Sequence, residues 1–570
     1  MPYPALPLRE VHARLTAPGS PFEMVEADVL GRRQRLWKNA PATLREIFLV
    51  GRSHGDKTFL VYEGERASFE ALARASVVFA HELQKRGVQK GDRVAIAARN
   101  LPEWPAAFFG TLLAGGVSVP LNAWSTGPEL QYMLSDSGAV VLIADPERFD
   151  RMAPHLSELP ALRQVFVSRL ERAPPGALRL EDVIGVTAEW PALPALDLPA
   201  VALDSDDDAT ILYTSGTTGQ PKGALGTHRN ACSTLFARAY ARAVAALRRG
   251  EAPTVADPAA PQESALLSVP FFHVTGCFST LVPAFFAGVK IATMRRWDAL
   301  EALKLIERER INGAGGVPTI AWQLIEHPDF DKYDTSSLLN FSYGGAPAPA
   351  DLVRRLKGAK PAAALGTAWG MTETSAPFTI VIGEDYEAHP STCGYAMPVG
   401  DMRIVGADGL DKPHGEAGEL WVRGPMVVKG YWNKPEATEQ TFGGGWLKTG
   451  DIAKLDDEGF VYIVDRAKDM LIRGGENIYC VEVENALAAH PDVVDAAVVG
   501  RPHNELGEEP VAVVTLKSGS TLSEAQLRAF AGERIAAFKV PVRVLLREEM
   551  LPRNANGKIL KRDLRLLFVS

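Results

Sequence analysis

Short apolar runs alternate with helix-length periodic segments from residue 58 onward, and this alternation strongly limits the possible folds. The first unit reads TFLVY, then SFEALARASVVFAHELQKRG, then DRVAIAA, and further runs follow at AVVLIAD, RQVFVS, ATILYTS, ALLSVPFF, KIATM and NFSYGG. Apolar runs of this length, separated by amphipathic helices, are typical of βαβ units. The sequence therefore predicts an α/β protein with doubly wound parallel sheets, interrupted by a surface excursion at 240–263.

The pattern changes twice toward the carboxyl end. After about residue 392, short strands with glycine-rich turns replace the helical periods, which predicts a small β-barrel or antiparallel sheet. Beyond Arg466, helices and strands alternate again over about 100 residues, the size of a small α+β domain. A length of 570 residues is too great for one core. We expect a large domain over residues 1–464, a linker at 465–468 and a small domain at 469–570.

The segment 213–223, YTSGTTGQPKG, combines three glycines, four Ser/Thr hydroxyls and one lysine directly after an apolar run. Glycines let the backbone turn tightly and aim its N–H groups at an anion, and hydroxyls donate further hydrogen bonds. The lysine adds a positive charge that suits nucleotide phosphates. The order differs from a Walker A loop, and a flexible linker is the alternative. The predicted phosphate-binding residues are Thr214, Ser215, Gly216, Thr217, Thr218, Gly219 and Lys222.

Two further polar clusters follow apolar runs, at the sheet edge where open α/β folds bind ligands. In one, Thr372 can bond a phosphate oxygen, Glu373 is a carboxylate suited to Mg²⁺, and Trp369 offers a ring face to a base. In the other, glycines permit the close approach of a flat ligand. Either cluster alone is equally compatible with an ordinary turn. The two clusters comprise Gly344, Gly345, Ala346, Pro347, Trp369, Gly370, Met371, Thr372 and Glu373.

Other candidate residues carry weaker signals in isolation. Asp451, at the end of the strand-like run GWLKTGD, can accept hydrogen bonds from two ribose hydroxyls, although such turns are common. His273 lies between an apolar strand and an apolar helix, where a lone histidine is more often a hydrogen-bonded core residue. Arg466 and Lys468 lie in the charged stretch DRAKD, which fits both a plain linker and a hinge. Lys558, in NANGK, is on charge counting a solvated lysine.

Composition excludes several classes of function. A net charge of −8 without a long basic stripe argues against a nucleic-acid partner. The four cysteines are scattered singly, which fits reduced thiols and predicts a cytoplasmic protein. Prolines and charges interrupt the N-terminus, so no export signal is expected, and no apolar window of about 18 residues predicts a transmembrane segment. The sequence is also compatible with peripheral membrane contact, and with either a monomer or a homodimer.

Eight segments, taken together and in this order, resemble the adenylate-forming family, which includes acyl-CoA synthetases, firefly luciferase and the adenylation domains of peptide synthetases. They are YTSGTTGQPKG, FFHVTG, YGGAP, WGMTE, GELWVRGP, KTGD, DRAKDMLIRGGENI and NANGKILKRDLR. The resemblance implies a large N-terminal domain of two α/β subdomains plus a β-barrel, and a mobile C-terminal lid. It also implies that a substrate carboxylate attacks the α-phosphorus of ATP, giving an acyl-adenylate and pyrophosphate, before a thiol expels AMP.

Carried over by position, the resemblance implies a role for each motif. Residues 214–223 would contact the ATP phosphates, Glu373 would bind Mg²⁺, and Thr372 would contact the α-phosphate. Trp369 would stack on adenine beside 344–347. Asp451 would hold the ribose hydroxyls, and Arg466 would contact ribose or phosphate. Lys558 would bridge carboxylate and α-phosphate in adenylation only. The lid would then turn about Lys468, so that Gly474, Gly475 and Glu476 line the pantetheine channel of coenzyme A. Relatives often read IYP after GGEN, whereas this chain has Cys480 in place of that proline.

The leading interpretation is a carboxylic acid:CoA ligase that uses ATP, Mg²⁺ and coenzyme A on medium- or long-chain fatty acids. In short-acid relatives a tryptophan at the position of Gly370 closes the acyl tunnel, and glycine would leave it open. An aryl or cinnamate-type acid is the alternative, since a deep apolar pocket accepts rings as readily as chains. Loading of a carrier protein, luciferase-type oxygenation and a noncatalytic homologue are the other classes. The last would usually lack Lys558, Glu373 or Asp451, and all three are present.

Overall fold

The computed structural model describes residues 3–214, 220–253, 260–345, 350–467, 469–473, 476–503, 505–554 and 558–568. Ten residues singled out from the sequence lie outside these ranges: Ser215, Gly216, Thr217, Thr218, Gly219, Ala346, Pro347, Lys468, Gly474 and Gly475.

The described residues form 28 strands and 19 α-helices. The strands, β1 to β28 in chain order, are Met24–Val29, Arg32–Trp37, Thr58–Tyr62, Glu65–Ser68, Arg93–Ala97, Val117–Pro120, Val141–Ala144, Gln164–Val167, Leu178–Arg179, Asp208–Thr214, Lys222–Thr227, Ser264–Leu267, Lys290–Thr293, Gly313–Gly316, Asn340–Gly344, Ala364–Met371, Ala376–Ile382, Tyr395–Ala396, Asp401–Val405, Gly418–Arg423, Gly430–Tyr431, Leu447–Leu455, Val461–Arg466, Leu471–Arg473, Glu476–Ile478, Val493–His503, Gly507–Leu516 and Arg543–Arg547. The helices, α1 to α19 in chain order, are Leu8–Leu15, Leu44–Arg52, Phe69–Lys85, Glu103–Leu113, Gly127–Ser137, Pro146–Met152, Glu181–Ile184, His228–Ser233, Ala237–Arg248, Val274–Gly276, Val282–Ala287, Ala299–Glu309, Pro318–Ile325, Ala350–Ala359, Glu384–Ala388, Pro435–Phe442, Cys480–Ala488, Glu524–Gly532 and Lys561–Arg565.

Two large sheets form the scaffold of the first part of the chain. One has eight strands in the order β21, β11, β10, β6, β5, β7, β8, β9, and the strands from β10 to β9 pair in parallel. The other has nine strands in the order β18, β17, β16, β15, β14, β12, β13, β3, β4, parallel from β16 to β3. Antiparallel strands extend the parallel run at one end of the eight-stranded sheet and at both ends of the nine-stranded sheet. The predicted doubly wound α/β architecture is therefore confirmed.

Local sequence explains why helices cover these sheets. The Ser68 side chain accepts a hydrogen bond from the Ala71 N–H and caps α3, which satisfies one of the free donors at the helix start. The apolar residues of α3 recur at helical spacing, and they pack in one buried cluster with Trp104, Phe108 and α4.

One local prediction was wrong. The segment 240–263 was expected to be a surface excursion, but α9 extends through Arg248 with Tyr240, Ala241 and Val244 buried. Alanine-rich helices bury small side chains that carry a weak hydrophobic signal, and this explains the error. Residues 254–259 lie outside the described part of the chain.

Smaller sheets follow the second large one. Strands β19, β20, β22 and β23 form a four-stranded antiparallel sheet in that order. The sequence predicted a small barrel or an antiparallel sheet here, and the described residues form an antiparallel sheet. The C-terminal part contains a separate five-stranded sheet, built from β24 to β28, with its own apolar core. The large and small domains expected from the sequence are both present.

Candidate active site

The ends of β15 and β16 bring two predicted clusters to one edge of the nine-stranded sheet. These parallel strands are neighbours, and Gly344 lies opposite Ala368. A Cβ atom at Gly344 would come within 2.8 Å of the Ala368 carbonyl oxygen, so the close approach requires glycine. Gly345 follows with φ +77°. The turn after β15 therefore starts directly beside Trp369.

Asp451 is the centre of a cluster with Trp369 and Arg466. The indole Nε1–H of Trp369 donates a hydrogen bond to Asp451 Oδ2 at 2.9 Å, and Arg466 Nε lies 2.9 Å from Asp451 Oδ1. Asp451 and Trp369 are buried, whereas 41% of the Arg466 side chain is exposed. Three residues that the sequence assigned to one nucleotide thus meet from β16, β22 and β23.

The position of Asp451 differs from the prediction in one respect. The sequence placed it at the end of a strand, but β22 continues to Leu455. Gly450 adopts φ +70°. The pairing register of β22 with β23 shifts between Ile452 and Ala453, and the register of β22 with β20 also shifts beside the motif. Such irregularities re-aim a side chain within a continuous strand. The motif is therefore a distortion inside the sheet rather than a terminal turn.

Glu373 and Lys222 meet through Tyr431. The Tyr431 hydroxyl donates to Glu373 Oε1 at 2.7 Å, and Lys222 Nζ lies 5.1 Å from the centre of the Tyr431 ring. β21 pairs with β11 and places Tyr431 opposite Ala224, two residues beyond Lys222. The Val428 N–H donates to the Glu373 carbonyl at 3.0 Å. Lys222, the predicted phosphate-binding lysine, and Glu373, the predicted metal ligand, therefore both lie next to Tyr431.

The two clusters share one electrostatic environment. Burial raises the pKa of Glu373, and the negative charge of Asp451 raises it further. The hydrogen bond from Tyr431 and the positive charge of Arg466 act in the opposite direction. Charges influence one another in this way only at short range in a protein surrounded by salt. The charges of Asp451 and Arg466 thus act on Glu373, and Lys222 lies next to the Tyr431 ring that bonds the same carboxylate.

The residues present fit a Mg²⁺ ion that is bound together with a nucleotide. Among the described residues, no group of three or more His, Cys, Asp or Glu side chains could hold a metal by itself. Mg²⁺ commonly binds through one or two protein carboxylates plus substrate phosphates. A single buried carboxylate close to a lysine, as at Glu373, suits that arrangement.

The backbone around Thr372 is strained. Thr372 starts a one-turn 3₁₀ helix that ends at Thr374, and its side chain is half-buried. Ser375 and Ala376 then adopt φ angles of +54° and +116°, which non-glycine residues rarely do. The Thr374 hydroxyl donates to the Ala376 carbonyl at 2.9 Å and receives the Met371 N–H. Strained backbone held by such bonds is concentrated at functional sites.

Gly370 is packed against main chain. A Cβ atom at this position would lie 2.1 Å from the Ala376 carbonyl oxygen and 3.0 Å from the Pro377 Cα. The first residues of β17 thus occupy the space where a side chain would start. The glycine at 370 explains the close approach of β16 and β17 and gives no information here about an acyl tunnel.

His273 lies where β12 leads into an apolar segment beside the site. Its Nε2 atom is buried and has no hydrogen-bond partner among the described residues. Burial lowers the pKa of His273 to about 3, so the imidazole is neutral at pH 7. Phe271 and Cys277, on either side of it, share an apolar cluster with Ala376. His273 is therefore a neutral polar side chain between two residues of this apolar cluster.

The remaining described candidates lie at the periphery. Thr214 ends β10 opposite Lys222, and its hydroxyl lies 3.4 Å from the Lys222 carbonyl. Glu476 is exposed and pairs with Arg473 across a short hairpin of the small domain. Lys558 is half-buried, and its N–H donates to the Asn554 side chain at 3.0 Å. Glu476 and Lys558 both belong to the small domain, whereas Asp451 belongs to the four-stranded sheet.

Tyr431 was missed by the sequence analysis. It lies in KGYWN, shortly after the motif GELWVRGP, and no spacing rule marks a lone tyrosine in an edge strand as functional. Its role depends on the pairing of β21 with β11, which joins residues far apart in the chain. Only the sheet topology reveals it.

We expect the substitution Tyr431→Phe to weaken the use of Mg·ATP. The change removes the hydroxyl that bonds the buried Glu373 carboxylate, and a hydrogen bond to a charged group contributes about 1.5–3 kcal/mol. The KM for Mg·ATP should rise by at least about tenfold in a pyrophosphate-release assay. Tyr386→Phe is the matched control, because it removes a buried hydroxyl that bonds Tyr343 instead. Equal KM values in the two variants would contradict this role.

Comparison with known proteins places this site in a family. The AMP-binding enzyme model matches residues 49–432, and the model of the AMP-binding enzyme C-terminal domain matches residues 482–558. The chain belongs to the AMP-binding enzyme family, and within it to the acyl-CoA ligases. The resemblance inferred from the motifs is confirmed.

Several relatives are similar over almost their whole length. A long-chain-fatty-acid–CoA ligase, FadD13 of Mycobacterium tuberculosis, is 36% identical over 88% of this chain and 92% of its own. A feruloyl-CoA synthase of an Amycolatopsis species is 37% identical over 90% and 96%. The ATP-bound structure of MatB from Rhodopseudomonas palustris is similar with a TM-score of 0.78 and 30% identity, covering 91% of this chain and 99% of that one. These matches support the use of ATP.

No helix in the described part of the chain is both long enough and apolar enough to span a bilayer.

Proposed function

We propose that this protein is an ATP-dependent carboxylic acid:CoA ligase that works through an acyl-adenylate. The observation that carries the proposal is the convergence of Trp369, Asp451 and Arg466 in a member of a family named for AMP binding. In the first step a carboxylate oxygen of the acid attacks the α-phosphorus of ATP, and pyrophosphate leaves. In the second step the sulfur of coenzyme A attacks the carbonyl carbon, and AMP leaves with the oxygen that joined it to the acyl group.

The residues around the nucleotide would position it and neutralise its charge. Asp451 would accept hydrogen bonds from the ribose hydroxyls, because its buried carboxylate is already fixed by Trp369 and Arg466. Mg²⁺ held by Glu373 would supply positive charge at the phosphates. Phosphoryl-centre chemistry depends mainly on positioning and charge neutralisation. These residues and the metal ion are of the types that the reaction needs. Residues 214–219 and Lys222 would contact the phosphates, and Thr372 would contact the α-phosphate. Adenine would be bound by 344–347 beside Trp369, Gly370 and Met371.

His273 would line the path of the reacting carboxylate as a neutral side chain. Its imidazole is uncharged at pH 7 and next to an apolar cluster, so it would shape the acyl entrance rather than attract the carboxylate by charge. Its unpartnered Nε2 atom leaves one polar group free for a ligand.

The small domain would act as a lid. We propose domain boundaries at 1–464 and 469–570, with a hinge at 465–468 whose pivot is Lys468. Lys558 would enter the site for adenylation, bridging the carboxylate and the α-phosphate. After the lid turns, Gly474, Gly475 and Glu476 would line the channel for the pantetheine arm of coenzyme A.

Medium- or long-chain fatty acids are the proposed substrates. The similarity to FadD13, which is named for long-chain fatty acids, supports this class. An aryl acid is the second candidate, because the feruloyl-CoA synthase is similar to the same extent. An apolar pocket discriminates only weakly by one methylene, by about 1–3 kcal/mol, so both classes must be assayed.

A panel of acids tests the proposal. Purified protein with ATP and Mg²⁺ is incubated with acids from acetate to palmitate and with several aryl acids, with and without coenzyme A or a holo carrier protein. Pyrophosphate and thioester are measured separately. Thioester with coenzyme A and a long-chain acid is the expected result. Thioester formation only on the carrier protein would contradict the proposal. So would a failure of every acid in the panel to cause pyrophosphate release.

A further inference from the structure

Asp465 joins the two domains through a single carboxylate. It lies on β23 and is 1% exposed, and its Oδ2 atom accepts a hydrogen bond from the N–H of Cys480, the first residue of α17. Its Oδ1 atom accepts the Arg466 N–H at 2.7 Å. Tyr479, the N-cap residue of α17, provides no side-chain cap. The end of β23, where the proposed hinge begins, therefore caps the first helix of the small domain, at a helix end that favours negative charge.

The charges around Asp465 do not form an ion pair with it. Lys561 of α19 lies near, but its Nζ pairs with Glu484 Oε1 of α17 at 2.7 Å, and both of these groups are largely buried. Asp469 faces the same region, and its carbonyl accepts the Cys480 thiol at 3.0 Å. Among the described residues Asp465 makes no salt bridge within 4.0 Å. Its negative charge is held mainly by two backbone N–H groups.

We propose that Asp465 is a positioning residue that holds the lid in the orientation seen here, through its hydrogen bond to the Cys480 N–H. The inference rests on the proposed function, because it concerns the balance between the two half-reactions. Asp465 and Cys480 lie on opposite sides of the proposed pivot at Lys468. A lid movement that shifts α17 relative to β23 would break this bond, so the bond would favour the orientation that keeps α17 against β23.

The residue at position 480 decides whether this bond can form. Cysteine supplies the N–H, whereas proline at this position would have no N–H to donate. Proline fits the first position of a helix, and Tyr479 already has the extended backbone that precedes proline well, with φ −84° and ψ 114°. Cys480→Pro would therefore remove the donor and keep the helix start. Cys480→Ala removes the same thiol but keeps the donor, and is the matched control.

Acidity should favour the orientation in which Asp465 is buried and bonded. Burial raises the pKa of Asp465 to about 6, although the Arg466 N–H and Lys561 oppose the shift. A solvent-exposed aspartate has a pKa of about 3.9, so the bonded orientation binds the proton more tightly than an orientation in which Asp465 is exposed. The bonded orientation is therefore favoured as the pH falls through about 6. It is less favoured above that pH, where the buried carboxylate is ionised.

The test measures the ratio of two half-reaction rates, pyrophosphate release from acid and ATP, and thioester formation from supplied acyl-adenylate and coenzyme A. At about pH 7.5, Asp465→Ala and Cys480→Pro should shift this ratio in one direction by about fivefold, the usual effect of losing a helix cap. Asp465→Asn removes the charge and keeps one of the two acceptors; with its oxygen directed at the Cys480 N–H, it should shift the ratio in the opposite direction. Cys480→Ala should match the wild type.

The pH profile separates this role from general destabilisation. The ratio for the wild type should approach that of Asp465→Asn as the pH falls to about 5.5, whereas the two should differ at about pH 7.5. Equal changes in both half-reactions, or the same shift in Cys480→Ala as in Cys480→Pro, would overturn the proposal. So would a constant difference between wild type and Asp465→Asn across this pH range.

Failure of the proposed function would look different. A wild-type protein without either half-reaction would refute the ligase proposal, and amide hydrogen exchange of the peptide 476–488 would then test the bond alone. Exchange in Asp465→Ala and Cys480→Pro should exceed that in Cys480→Ala. Identical exchange in all three variants would overturn the inference independently of the ligase activity.

Discussion

Lys558→Ala should abolish pyrophosphate release but leave thioester formation from supplied acyl-adenylate nearly intact. In the proposed cycle, the Lys558 ammonium group bridges two negative oxygens, those of the substrate carboxylate and the α-phosphate, only while they approach each other. Removal of a group that stabilises developing charge typically lowers the rate by about 10²–10³-fold. The second half-reaction has no such pair of anions, and the lid would carry Lys558 away from it.

The two rates are measured on the same preparation. Arg562→Ala is the control, because it removes an exposed cation of the same domain in α19, four residues further along the chain. It should leave both rates within about twofold of the wild type. Equal loss of both half-reactions in Lys558→Ala would contradict a lid that uses this lysine for adenylation alone.

Asp451→Asn should cause the largest loss in the use of ATP. The carboxylate accepts the Trp369 indole N–H and pairs with Arg466, so the substitution removes a buried charge at the centre of the cluster. It also weakens two proposed hydrogen bonds to ribose hydroxyls. Bonds to a charged group contribute about 1.5–3 kcal/mol each, which predicts a fall in kcat/KM for ATP of about 10²–10⁴-fold.

The matched control for this prediction is Asp401→Asn. Asp401 lies on β19 of the same sheet and pairs with Arg423 at 2.9 Å, the same distance as between Asp451 and Arg466. Its side chain is 38% exposed and makes no described contact with Trp369. Asp401→Asn should keep kcat/KM within about threefold of the wild type. A similar loss in both variants would show that the sheet, rather than the nucleotide contact, is affected.

The sequence predicted the parallel sheets well because their strands are buried on both faces. Continuous apolar runs such as TFLVY and KIATM became β3 and β13 almost at the predicted boundaries. The α9 helix was missed because its buried face consists largely of alanine, as at Ala241. The four-stranded sheet was predicted in type but not in its pairing, since register depends on partners distant in the chain.

The sequence predicted those residues of the candidate site whose side-chain type and motif indicate their chemistry. Trp369, Asp451 and Arg466 were chosen from separate motifs, and the structure brings them into direct contact. Tyr431 and the pairing of Asp465 with Cys480 were not found, because each depends on a contact between separate elements that the motifs do not specify. Long-range hydrogen bonds of this kind follow from topology and not from local sequence.

The transfer of oxygen from the acid to AMP tests the central claim most directly. An accepted acid carrying ¹⁸O in both carboxylate oxygens is converted with unlabelled ATP and coenzyme A, and the products are examined by mass spectrometry. Attack of the carboxylate on the α-phosphorus predicts one labelled oxygen in AMP, the other in the thioester and none in pyrophosphate. Label in inorganic phosphate with formation of ADP, or unlabelled AMP, would contradict activation through an acyl-adenylate.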